Sequence, residues 1–360
     1  MHPALKRHPF VSSFSSIFIP TEPDPFRVCK ALANLAAVYL FHDIHVGPNS
    51  PSGLDANQSD RLSRSLGHHV RTFAFDLPQQ ADLERARLAN CVALILPNLP
   101  NIRYLIVVCH AWKTGTHSAI VHAIAKLQHL EWVTFNGLGY RLSDVVHSPP
   151  SPTLFDTLFN QILLSHAEQL TSLSLYLCPF NHAPGTLELL RERAKNLQVL
   201  ILEASLPRSL WQVFAQPVTW ACADQLVMLD LTDIHGIHVP ILVEHIASGR
   251  FGNLKRLQID MRWADRDRHI VIPAIEWNIR PLDVLILVHV PKLELEIFGC
   301  LHAKEVQVEE LSEQAMIELV HGGSFREMTV LRIWKRDWKP VRLEELASAC
   351  ANRDVDLLVL

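Results

Sequence analysis

The hexapeptide Leu226-Val227-Met228-Leu229-Asp230-Leu231 is apolar at its first, fourth and sixth positions, and the same spelling returns at 197–202, 254–259 and 282–287. Taking the fourth position as a marker, these cassettes fall on Leu200, Leu229, Leu257 and Leu285, in steps of 29, 28 and 28 residues. Weaker copies place markers at Phe73, Leu105, Val133, Leu173, Val306, Leu331 and Leu358. The interval before Leu173 is long, 40 residues, and contains Ser148-Pro149-Pro150-Ser151-Pro152, which reads as an inserted loop. Each cassette predicts a short strand whose first, fourth and sixth residues point inward while the second, third and fifth stay outside.

Helical stripes lie between the cassettes. Leu154, Phe155, Leu158, Phe159, Ile162 and Leu163 form one, opened by Ser151 and Pro152; Ile120, Val121, Ile124 and Leu127 form a second; Leu311, Ala315, Met316 and Leu319 a third. Leu210, Val213 and Phe214 mark a shorter piece. A strand, a turn and a helix repeated about every 28 residues predict an α/β leucine-rich-repeat solenoid, with a curved parallel sheet inside and helices outside. Each buried leucine contributes roughly 1.5–3 kcal/mol, and only the sum over stacked units offsets the chain entropy. Such units commonly carry Asn or Cys three residues after the sixth position. Here Cys178 holds that place and Ser205 is a possible substitute, but Ile234, Arg262, Val290 and Arg336 stand in the others. A non-repeat α/β domain rich in Leu-x-x-Leu pairs is the competing reading.

The domain division expected from this text is a loose N-terminus over 1–25, an N-terminal helix and cap over 26–60, and the solenoid over 61–360. The run Val28 to Phe41 is helical in composition, and His42-Asp43-Ile44-His45-Val46 alternates like a strand. That pairing, a "VC+" helix leading into a Leu-Phe-x-x-Ile-x-Val strand ahead of leucine-rich repeats, resembles the tail of fungal-type F-box/leucine-rich-repeat proteins. The leucine-proline opening of such a box is not recognisable in residues 1–25, so the box is incomplete. The resemblance implies a substrate-binding part of an F-box-like ubiquitin-ligase adaptor, which meets the cullin-RING ligase adaptor through its N-terminal helix.

Composition narrows the function classes. With 49% hydrophobic and 19% charged residues the chain has apolar surface enough for a continuous core. A net charge of −4 gives no basic field for phosphate, so no nucleic-acid partner is expected. No apolar run reaches membrane-spanning length and residues 1–20 make a poor signal peptide, so no membrane partner is expected either. Seven scattered cysteines without a C-x-x-C pair read as reduced thiols in a cytoplasmic or nuclear protein.

Candidate chemistry is sparse. The closest histidine pairs are His42 and His45, His68 and His69, His117 and His122, and His235 and His238; none has a metal-ligand spacing, so no metal or other cofactor is expected. No G-x-S-x-G elbow is present, Gly137-Leu138-Gly139-Tyr140 falls short of a dinucleotide fingerprint, and His321-Gly322-Gly323-Ser324 reads as a helix C-terminus followed by a loop. Catalytic residues are therefore expected to be none.

What remains is the concave face. The candidate protein-binding residues are Tyr104, Trp132, Thr134, Asn136, Tyr176, Asp230, Arg256, Asp260, Arg332 and Trp334, aromatic groups flanked by hydrogen-bonding and charged ones. Val199, Ile201, Val284, Ile286 and Val288 put apolar side chains on outward positions, either as a partner patch or as a surface that a chain terminus covers. The expected role is non-enzymatic protein recognition. A free-standing repeat scaffold without a ligase link is the alternative, and a hydrolase or transferase the outlying one.

Overall fold

In the computed structural model the described residues are 42–47, 67–77, 82–109, 118–137, 154–176, 178, 189–190, 192–203, 220–232, 239–261, 281–290, 298, 301–309, 312–334 and 338–360. They form an α/β protein built on one sheet of twelve parallel strands, hydrogen-bonded in chain order from first to last. The strands are β1 (Asp43–Val46), β2 (Thr72–Leu77), β3 (Tyr104–Cys109), β4 (Trp132–Asn136), β5 (Ser172–Tyr176) and β6 (Val199–Glu203). They continue as β7 (Met228–Thr232), β8 (Arg256–Asp260), β9 (Leu282–Val288), β10 (Ala303–Glu309), β11 (Val330–Ile333) and β12 (Asp356–Val359). Among the described residues six α-helices lie between them: α1 (Asp82–Ile95), α2 (Ser118–Ala125), α3 (Leu154–His166), α4 (Val239–Ala247), α5 (Glu313–His321) and α6 (Pro340–Ala351).

The apolar markers set the register. Phe73, Leu105, Val133, Leu173, Leu200, Leu229, Leu257, Leu285, Val306 and Leu331 are Cα partners in one continuous row, because any one-residue slip would turn every buried side chain outward. Ile44 of β1 extends that row at its start. The last marker differs from expectation: Leu331 pairs with Leu357, and Leu358 falls opposite Arg332 on the other face. Asp354 just ahead adopts φ 58°, and its left-handed turn sets β12 one residue out of the expected phase.

Two backbone devices repeat along the sheet. Two residues before the row positions from Ile44 to Leu257, one carbonyl accepts two successive N–H groups from the next strand segment: His42 from Arg71 and Thr72, Arg103 from Glu131 and Trp132, Thr171 from Gln198 and Val199, Lys255 from Asp283 and Val284. Four residues before the marker, asparagine bridges adjacent units. Asn101 Nδ2 donates to His68 O at 2.8 Å, Asn196 Nδ2 to Glu168 O at 2.6 Å and Asn253 Nδ2 to Asp224 O at 2.5 Å. Arg353 takes the same place before β12, donating to Val320 O and Ser324 O at 3.1 and 2.7 Å.

One face of the sheet carries the core. The marker residues and their neighbours at the third position before and the second after are buried together with Ile120, Ile124, Leu158, Phe159, Ile162 and Leu163 of α2 and α3, and with Ala315, Met316 and Leu319 of α5. Phe135 of β4 meets Phe159 of α3 edge-on, centroids 5.9 Å apart. Cys178 is buried, its Sγ 3.4 Å from Tyr176 O and 3.7 Å from Phe135 O, carbonyls at the C-terminal ends of β5 and β4. The Gly322-Gly323 segment closes α5: Gly322 N–H donates to Glu318 O, Ser324 N–H to Leu319 O, and Gly323 takes φ 77°. The expected helix at 28–41, the loop at 148–152, the apolar piece at 210–214 and the side chains of Leu154, Phe155 and Leu311 lie outside the described residues.

Candidate protein-binding face

Strand alternation that sends the markers to the core sends their neighbours to the opposite, open face. Three registered rows result. The row before the markers reads Thr72, Tyr104, Trp132, Ser172, Val199, Met228, Arg256, Val284, Glu305, Val330 and Asp356. The row after them includes Ile106, Thr134, Ser174, Ile201, Asp230, Gln258, Ile286, Gln307 and Arg332. The third includes Asn136, Tyr176, Glu203, Thr232, Asp260 and Val288. Nine of the ten candidate residues stand in these rows, and Trp334 follows β11 directly.

The face changes character along the sheet. At β3 and β4 it is aromatic: Tyr104 and Trp132 are Cα partners with ring centroids 5.1 Å apart and planes inclined at 60°, and Trp132 is 44% exposed. Arg103 and Glu131, one residue before each ring, form an exposed ion pair at 3.7 Å, worth little energy by itself.

Over β5 to β8 the face is partly enclosed and carries three carboxyl groups, Glu203, Asp230 and Asp260. Ser172 and Ser174 are buried, and Asp260 is only 7% exposed, its Oδ1 3.2 Å from Nδ1 of His289. His289 adopts φ 53° immediately after β9, a conformation rare for a residue with a side chain, and this turn aims its ring at Asp260. Burial, with Glu203 next in weight, lifts Asp230 from the usual aspartate range to about 7. Burial likewise raises the Tyr176 hydroxyl.

At β10 and β11 the face is ion-paired. Arg332 Nε lies 2.8 Å from Glu305 Oε1 and its Nη2 donates to Oε2 at 3.3 Å, while Gln307 Nε2 donates to Glu305 Oε1 at 2.5 Å. Arg256 on β8 is exposed.

Of the outward apolar residues, Val199, Ile201 and Val284 are half-buried, whereas Ile286 and Val288 are 5% and 8% exposed without joining the core cluster. Glu203, which alternation also places on the concave face, and His289 complete the acidic centre; His289 was not expected there. Glu203 has a sequence signal, since it stands three residues after marker Leu200 on the same row as Tyr176 and Asp260. His289 has none, because its position follows from a backbone turn.

Among the described residues no group of three or more His, Cys, Asp or Glu side chains is arranged to hold a metal ion. Among them, too, no helix is long and apolar enough to cross a membrane. His117, His235 and His238 lie outside the described residues. Cys222 and Cys350 are free thiols, and burial pushes Cys222 up to about 12, away from thiolate chemistry. The chain matches no protein-family model and, at a significant level, no curated protein.

Proposed function

We propose that the chain is a leucine-rich-repeat solenoid acting as a non-enzymatic recognition scaffold, with a protein partner held on the face opposite the helices. The observation that carries this reading is the division of each strand between its two faces. One face is committed to a continuous apolar core, and the other presents registered rows of aromatic, hydrogen-bonding and charged side chains with Trp132 and Tyr104 at one end. An exposed tryptophan packed on a half-buried tyrosine, beside arginine and carboxylate groups, suits the make-up of binding hot spots.

The place of this scaffold in an F-box-like ubiquitin-ligase adaptor rests on the resemblance of residues 28–46. In that role the open face selects a substrate in the cytoplasm or nucleus, and the N-terminal helix meets the cullin-RING adaptor. Co-purification of the full chain with that adaptor tests the link. Retention of the adaptor supports it; no retention with residues 1–46 present rejects it and leaves a free-standing scaffold. Replacing Trp132 and Trp334 by alanine should lower capture of the partner at least tenfold in Kd. Unchanged capture would place the binding surface elsewhere.

A further inference from the structure

We propose that Glu203, Asp230 and Asp260 form a proton-operated switch at the centre of the open face, in which Asp230, flanked by the other two carboxyl groups, takes up and releases the proton. The arrangement follows from the register. Asp230 on β7 is partnered by Ile201 and Gln258, and Thr232, two residues further along β7, is flanked by Glu203 on β6 and Asp260 on β8. Asp230 thus has a carboxyl group diagonally across on each side, within ~7–8 Å between backbones, close enough for two like charges to oppose a third.

Asp230 Oδ1 is enclosed and has no hydrogen-bond partner, a costly condition for a carboxylate and a tolerable one for a carboxylic acid. Among the described residues the charged or titratable groups facing it are Glu203 from β6, Arg256 and Asp260 from β8, and Tyr176 from β5, beside Glu203. Arg256 is the cation among them; it favours the anion, but it is exposed, so water weakens its hold. His289 is engaged with Asp260.

Burial and the two acids outweigh Arg256 and raise Asp230 to about 7. Passing through neutrality therefore adds one negative charge to the middle of the face. Below that point the centre presents a hydroxyl donor; above it, a site that favours a cationic group.

The sign for stability is fixed. The folded chain keeps a proton that the unfolded chain releases near its ordinary value of 3.8, so this contribution is complete below that value, declines as pH rises toward 7, and is constant above. The test is a carbon-13 carboxyl titration of Asp230 in the full chain, with E203Q and D230N beside it. The expected midpoint lies near 7, and E203Q moves it lower. The ratio of wild-type to D230N unfolding constants should rise about tenfold per pH unit between about 4 and 7, then level off. Asparagine has the shape of the neutral acid, and if D230N fails to fold the titration of the unaltered chain still decides. A midpoint in the ordinary aspartate range, or an E203Q variant that leaves it in place, overturns the proposal.

Discussion

Replacing Asn101, Asn196 and Asn253 by alanine removes three bridges between adjacent strand units, each a side-chain amide donating to a carbonyl one unit upstream. A side chain to backbone bond of this kind contributes about 0.5–1.5 kcal/mol net. All three are exposed, so water can replace the lost donor and the lower half of that range applies, about 0.5–1 kcal/mol each. The sites lie before β3, β6 and β8 and share no partner, so the losses should add to roughly 1.5–3 kcal/mol in the triple variant. Urea unfolding would show this as a lower midpoint with an unchanged slope. Aspartate at the same positions should cost more than alanine, because it sets an acceptor against a carbonyl acceptor. A triple alanine variant within 0.5 kcal/mol of the parent would show that the bridges are surface accidents.

Three further outcomes are expected. Gly67→Ala should cost about 1–3 kcal/mol or more, measured by thermal unfolding, because its Cβ would stand 1.9 Å from the Asn98 carbonyl oxygen, a backbone atom that cannot swing away. Leu357→Ala should destabilise more than Leu358→Ala, since Leu357 packs against the core and Leu358 is 41% exposed on the opposite face; equal losses would return the marker to position 358. His166 is buried, donates Nε2–H to Ile124 O at 2.9 Å and has its pKa lowered by that burial, so stability should fall as pH drops through about 6.5. His166→Gln, which keeps the donor and cannot gain a proton, should flatten that limb of the curve.

Much of the sheet was legible because one apolar residue per unit carries the register. Arg256 and Gln258 on either side of Leu257, and Asp230 after Leu229, fix which side faces the core, and the 28-residue step carries that phase on to Leu285. The phase was lost at the end, where Leu357-Leu358-Val359-Leu360 is apolar at every position and a period of two has no reference. The asparagine bridges were missed for a different reason. The expectation looked for Asn after the cassette, where only Cys178 fits, while the bridging residues stand four before the marker, in turns.

The candidate face was legible as a set of positions but not as an environment. Alternation assigns Asp260 and Asp230 to the same side as Trp132; it does not say that Asp260 is enclosed beside His289 while Trp132 stands in water. Burial on the open face depends on groups far away in the chain, and local spelling does not encode it. Ile286 and Val288 make the same point, buried on a side the pattern marks as outward.

The most direct test is an alanine scan of β4 read twice, for partner affinity and for thermal midpoint. Affinity should fall at Trp132, Thr134 and Asn136 with small changes in midpoint, and the midpoint should fall at Val133 and Phe135, where Phe135→Ala costs about 3–5 kcal/mol, with affinity kept in the fraction still folded. If affinity and midpoint fall together at every position, or affinity answers only to Val133 and Phe135, then the strands do not divide recognition from packing between their two sides.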